Sequence, residues 1–146
     1  MAEVYEAVQQ DGRKAILKRF IAGPEGVEHA RHEHQVLTAC AHPGVPKVFG
    51  LDVSQPLAVL AMEHVPGVSL VTWAHAASLP PIRVVVDLAI QWADLLARVH
   101  ACRLIHRRVQ PTNLWIDAAT GETHLIGFSW TRALGYTHEE LGGKRL

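Results

Sequence analysis

Three groups of side chains have the types and spacing to do chemistry by themselves. His29, His32 and His34 fall near the start of a helical stretch, with Glu33 among them. His29 and His32, three apart, share a helix face on which a metal ion could be bridged. A solvated helix face is the preferred reading. Arg107 and Arg108 are adjacent in a polar, basic loop, HRRVQPTN, and guanidinium forks fit a phosphate well. Salt bridges within that loop are the favoured alternative. Cys40 and Cys102 stand far apart with no ligand spacing, so buried free thiols are expected. Trp73, Trp92 and Trp130 read as core or boundary packing.

The elements that must position these groups follow from pattern. Val4, Tyr5 and Ala7, then Ala15-Ile16-Leu17, predict two strands joined by a turn at Asp11-Gly12. Gly23-Pro24-Glu25-Gly26 breaks the chain, and a helix with one narrow apolar face is predicted over 27–39, ended by His42-Pro43-Gly44. Runs at 45–51 and 57–62 are rich in branched apolar residues and predict strands. Beyond Pro66-Gly67 the texture changes from strand to helix. Val85, Leu88, Ala89, Trp92, Leu95, Leu96 and Val99 recur at helical spacing, predicting a helix over 82–101 of roughly 30 Å. A hairpin is predicted from Leu114–Asp117 and Thr123–Ile126. The layout is α+β in two parts, 1–66 and 67–146, joined near Val65-Pro66-Gly67.

The bulk properties exclude several classes. The 146 residues suit one ordinary domain, and 49% hydrophobic with 19% charged residues exclude a disordered or fibrous chain. Lys plus Arg and Asp plus Glu both count 14, so no basic excess points to nucleic acid or an anionic membrane. No apolar run is long enough to span a bilayer, and the first residues have no signal-peptide core. Two cysteines fit a reducing, cytoplasmic setting.

In this order of elements, the residues resemble the protein kinase family. Val4-Tyr5 looks like the end of the strand after the family's glycine-rich loop, and AILK (15–18) like its V-A-I-K strand. Glu33, with Leu37 and then His42-Pro43, looks like the regulatory helix and following turn. Met62-Glu63-His64-Val65 looks like the gatekeeper and hinge. HRRVQPTNLWID is similar to the catalytic loop H-R-D-x-K-x-x-N and its following strand, and LIGFSWTRAL to the segment holding D-F-G. Each match alone is weak, whereas the ordered set is specific. The match covers nearly the whole chain but only part of the family's domain: the glycine-rich loop is expected before Met1, and the A-P-E end and later helices beyond Leu146. TGETHLIGFSWTRAL looks most like kinase-like domains of bacterial multidomain signalling proteins.

The resemblance implies a nucleotide cleft built by Lys18 and Glu33 as an ion pair, with Glu63 and Val65 at the hinge and Asn113 as a magnesium ligand or loop-closing residue. It also implies lost chemistry. Arg108 occupies the position of the aspartate that accepts the hydroxyl proton, and a guanidinium cannot accept one. Gln110 replaces the loop lysine. Gly127 replaces the magnesium aspartate and offers no side-chain oxygen. At the adenine slot, Ile16 replaces a small alanine and Trp115 a leucine. Trp115 either stacks on a base or plugs the slot, and plugging is preferred. The stack of side chains that joins the family's two lobes corresponds to Leu37, Val48, His106 and Phe128.

The expectation is therefore a small antiparallel-sheet lobe with one helix, plus the first part of a helical lobe. Its function would be that of a catalytically inactive binding or regulatory module, acting on a protein partner or adjacent domains of a longer chain. No cofactor is expected, and ATP with Mg²⁺ would bind only if the pocket is open. The rival expectations are an ATP-binding or atypically active Ser/Thr kinase domain, and a non-functional fragment of a longer kinase-like protein. The long helix would then expose an apolar face.

Overall fold

The computed structural model describes residues 2–21, 23–54, 57–76 and 80–134. The last residues of the second predicted part, 135–146, lie outside the described residues.

The first part is an antiparallel sheet of β1 (Ala2–Val8), β2 (Lys14–Phe20), β3 (Val48–Ser54) and β4 (Leu57–Glu63), in the order β1-β2-β4-β3. Asp11 sets the first turn, since its carboxylate accepts from the Arg13 backbone N–H at 3.0 Å and from Arg13 Nε at 2.7 Å. On β4, Ala58, Leu60 and Met62 alternate with more exposed residues, which gives the sheet one apolar face. Helix α1 (Pro24–Ala39) covers that face with Ala30, Val36 and Leu37.

Helix α1 begins three residues earlier than the apolar pattern predicts. A proline is tolerated in a first helical turn, where its missing N–H has no partner to lose, so Pro24 starts the helix rather than preceding it. The third strand runs 48–54 rather than 45–51, because Val45 is drawn into the turn after α1, its N–H bonded to His42 O at 2.9 Å.

Beyond the sheet come β5 (Val68–Ser69), α2 (Leu70–Ala76), α3 (Ile82–Ala101), β6 (Leu104–Ile105), β7 (Leu114–Ile116), β8 (Thr123–Leu125), a single 3₁₀ turn (Phe128–Trp130) and β9 (Arg132–Ala133). Helix α3 has the predicted bounds, with Pro81 immediately before it. Its buried residues, Leu88, Trp92, Leu95 and Val99, fall on one face. The predicted hairpin is β7–β8, with Leu114 opposite Leu125 and Ile116 opposite Thr123.

One core crosses the predicted boundary. Phe20, Leu37 and Leu60 from the first part belong to the same buried cluster as Leu95, Val99, Leu125 and Phe128 from the second. A smaller cluster of Leu88, Trp92 and Ile116 lies under α2, with Trp73 packed against it. The opposite stripe of α3 is apolar and uncovered among the described residues: Ile82, Val86 and Ile90, one turn apart, are 77%, 47% and 55% exposed. Among the described residues no helix is long and apolar enough to cross a membrane.

The boundary glycine has a structural reason. Gly67 has φ +96°, and a Cβ built on it would lie 2.0 Å from the Ile116 carbonyl oxygen. The chain passes against β7 there, and only a residue without a side chain fits. Gly67→Ala combines a left-handed backbone, worth about 1–3 kcal/mol of strain, with a backbone clash. The melting midpoint is expected to fall by several degrees, at about 2–4 °C per kcal/mol for a chain of this size. An unchanged midpoint in a thermal melt would refute this placement of Gly67.

Candidate functional site

Lys18 lies on β2, between Leu17 and Arg19, and Glu33 lies on the buried face of α1. Their side chains meet across the sheet–helix interface. Lys18 Nζ donates to both Glu33 oxygens, at 2.9 and 2.7 Å. The Lys18 and Glu33 side chains are only 15% and 3% exposed. A third residue, not singled out from the sequence for this role, joins them. Ser129 Oγ accepts from Lys18 Nζ at 2.7 Å and donates to Glu33 Oε2 at 2.9 Å. A lysine ammonium has three donors in all. Glu33 and Ser129 engage all of them. The signal in the sequence was the departure at the last position of the D-F-G-like triplet, where Ser129 stands in place of a glycine.

The loop between α3 and β7 is held from within. His106 is buried, with its ring edge-on to Phe128 at 4.7 Å between centroids. Its partners assign one neutral tautomer. Nε2–H donates to Ile126 O at 3.0 Å, and Nδ1 accepts from the Arg108 backbone N–H at 3.3 Å. The second contact needs the left-handed backbone of Arg107, φ +65°, which turns Arg108 N–H back on the ring. Leu37, Val48, His106 and Phe128 all lie in or against the main core or its lower edge, with Phe128 and His106 each 1% exposed.

Arg108 is exposed, and its guanidinium lies over the Trp130 ring at 5.1 Å. The favoured salt bridge within the loop is not formed: among the described residues neither Arg107 nor Arg108 pairs with a carboxylate. Trp130 is accordingly a stacking surface, 50% exposed, rather than a core residue. Gln110 is exposed and donates to Thr112 Oγ1 at 2.9 Å.

Asn113 and Gly127 are in contact. Asn113 Nδ2 donates to Arg108 O at 2.8 Å, and Asn113 O accepts from Ile126 N at 2.9 Å. Gly127 has φ +84°, and a Cβ built on it would meet Asn113 Oδ1, Cγ and Nδ2 at 2.8, 2.9 and 2.9 Å. Near-equal distances to all three atoms mean that the amide plane lies across the glycine. Gly127 itself carries no side-chain oxygen, and a side chain added there would first meet the Asn113 amide, which would have to shift. The residues present thus do not fit a magnesium ion held by a carboxylate at this position. Among the described residues no group of three or more His, Cys, Asp or Glu is placed to hold a metal. His32, half of the histidine pair considered for a metal, instead donates from Nε2 to Thr131 O at 2.7 Å, tying α1 to the segment after the 3₁₀ turn.

The remaining residues lie elsewhere. Ile16 packs against the main core and faces Met62 across β4. Trp115 is half-buried on β7 opposite His124, and its indole N–H donates to Thr112 O at 3.2 Å. Glu63 is exposed at the end of β4 and accepts from Lys47 N at 3.1 Å, while Val65 is buried. Among the described residues none of these four touches the Lys18 cluster through a hydrogen bond. Of the two thiols expected to be buried, Cys40 is buried and Cys102 is exposed, and both are free.

A two-part fold with a lysine–glutamate pair between its sheet and its helix, and a histidine-headed loop leading into a hairpin, defines a protein-kinase-type domain. The chain matches the protein kinase domain family over residues 1–142. It is 31% identical over 144 residues to serine/threonine-protein kinase PknA of Mycobacterium tuberculosis, covering 92% of this chain and 33% of that protein. It is 34% identical over 139 residues to serine/threonine-protein kinase pkn2 of Myxococcus xanthus, covering 90% of this chain and 17% of that protein. A probable serine/threonine-protein kinase, pknA2 of Bifidobacterium longum, is 28% identical over 141 residues. This chain belongs to the protein kinase family, and it spans a third or less of the length of these relatives.

Two measurements test the site. Removing the Glu33 carboxylate by Glu33→Ala leaves a buried ammonium unpaired, and such a loss costs about 3–5 kcal/mol. Ser129→Ala removes only one hydroxyl from the cluster, at about 1 kcal/mol. Urea denaturation should rank the losses in that order, and equal losses would overturn the assignment of Glu33 as the anchor. His106 supplies a pH dependence. Burial holds its pKa below the usual 6.5, so the unfolded chain takes up the proton first. Stability is expected to decline as pH falls through that value, and His106→Phe should lose less over the same range. Parallel melting curves from neutral to mildly acidic pH would refute the assignment.

Proposed function

We propose that this domain has lost phosphoryl transfer and works as a binding or regulatory module in signalling. The observation that carries the proposal is Gly127, which has no side-chain oxygen to hold a magnesium ion and lies against the Asn113 amide. Arg108 supports it, since a cation stands where a proton acceptor is needed, and its guanidinium is stacked on Trp130. Lys18 supports it further. With its donors taken by Glu33 and Ser129, it must break a contact to hold a phosphate.

The partner in this reading is a protein or an adjacent domain of a longer chain, with no nucleic acid or membrane involved. The uncovered stripe of Ile82, Val86 and Ile90 on α3 is the surface that favours it. The setting in this reading is cytoplasmic, which a count of only two cysteines favours.

One observation favours a second reading, that of a nucleotide-binding or atypically active Ser/Thr kinase domain. The Lys18–Glu33 pair is formed, and the relatives are named as serine/threonine kinases.

A thermal melt with and without ATP, each with and without Mg²⁺, separates the two. A ligand at a hundred times its Kd stabilises by about 2.7 kcal/mol, enough to move the midpoint by several degrees. No shift is expected, and no Mg²⁺-dependent transfer of phosphate to protein. A shift without transfer, lost in Lys18→Ala, would establish nucleotide binding by an inactive domain. Phosphate transfer lost in Lys18→Ala would overturn the proposal.

A further inference from the structure

Ser129 lies between two anchored residues. On one side Phe128 is buried in the main core, with the His106 ring edge-on to it. On the other, the Thr131 N–H donates to Phe128 O at 3.0 Å, and the Thr131 carbonyl accepts from His32 Nε2 at 2.7 Å. The second bond fastens the turn to α1. The fold thus carries the Ser129 hydroxyl to Lys18 and Glu33, which stand 111 and 96 residues away in the chain.

The hydrogen bonds at this point form a closed set. Lys18 Nζ donates to both Glu33 oxygens and to Ser129 Oγ, and the Ser129 hydroxyl donates to Glu33 Oε2. The hydroxyl gives Lys18 what a phosphate oxygen would give it, an acceptor for the donor that Glu33 leaves over, here at 2.7 Å and without charge. The ammonium is not sealed from solvent. The Lys18 side chain is 15% exposed against 3% for Glu33, so an anion arriving from solution meets the lysine before the carboxylate.

We propose that Ser129 is an autoinhibitory contact, whose hydroxyl serves as an internal ligand of Lys18 and keeps the ammonium from the oxygens of a phosphate chain. The proposal rests on the reading of an inactive binding module, and it names the residue that holds the anion site shut. Ser129 acts through Lys18, as a positioning residue. A phosphate oxygen must displace a hydrogen bond from a charged donor, which is stronger than a bond between neutral groups. Without the hydroxyl, Lys18 keeps Glu33 paired and gains one free donor.

The test is isothermal titration of the full chain with inorganic tripolyphosphate, without Mg²⁺ and at fixed ionic strength. Tripolyphosphate has no base, so Ile16 and Trp115 do not decide the result. Ser129→Ala and Ser129→Gly, each checked for the wild-type circular dichroism, are expected to bind it at least about tenfold more tightly than the wild type. Adding Lys18→Met to either should abolish the gain. A merely structural role for Ser129 would lower the melting midpoint and leave the affinity where it was. Equal affinity in the wild type and both variants, measurable or not, would overturn the proposal. So would a gain in Ser129→Gly alone, which would trace to the backbone, or a gain that survives Lys18→Met. Loss of phosphoryl transfer is judged separately, by transfer of phosphate from Mg²⁺-ATP to protein, so either conclusion can fail while the other stands.

Discussion

Glu33 is a carboxylate with almost no access to water, and such a group must have its charge matched where it lies. Lys18 matches it from β2, and Ser129 adds a hydroxyl from the 3₁₀ turn. Those three residues come from the sheet, the helix over it and the turn near the end of the described chain. The pairing therefore fixes how the three elements approach one another. An apolar contact would permit sliding, whereas paired oxygens and an ammonium accept only one geometry. The main core then closes around this polar point, with Leu37 beside Glu33 in α1 and Phe128 beside Ser129 in the turn.

The same locking draws charged groups into contacts within the protein. A kinase-type site sets cations and magnesium carboxylates around phosphate oxygens. In this chain the Lys18 ammonium is turned inward, and the exposed loop cation Arg108 rests on an indole. Both cations are engaged by the protein itself. Satisfied donors are poor ligands, because each new contact must replace an existing one of similar strength.

Much of the scaffold was legible because it depends on local pattern. The bounds of α3 follow from a regular apolar stripe after paired prolines, and the β7–β8 hairpin follows from two short apolar runs about a turn. Lys18 and Glu33 were found through their place in an ordered set of motifs. The short elements escaped notice. Strand β6 pairs with β9 through only Leu104–Ala133 and Ile105–Arg132, and two residues carry no periodicity to read. Helix α2 spans only seven residues and buries none of them fully, with Leu70 and Trp73 packed on the smaller cluster, so its apolar pattern is too short to stand out. The bonds of Ser129 to Lys18 and Glu33 and the Arg108–Trp130 stack are contacts between distant segments, which a single sequence does not encode locally.

The Asn113–Gly127 contact shows why the missing carboxylate is more than one changed residue. Gly127 keeps a left-handed backbone, φ +84°, a conformation asparagine and aspartate tolerate better than most side chains. Backbone strain alone would therefore not exclude an acid there. The obstacle is the amide of Asn113, held flat across the glycine by its bond to Arg108 O. A side chain at that position requires the amide, which also bonds the Arg108 carbonyl, to shift. That loop in turn presents a guanidinium where a proton acceptor would be required. Both positions thus meet at one asparagine, which bonds the backbone carbonyl of residue 108 and lies against Gly127.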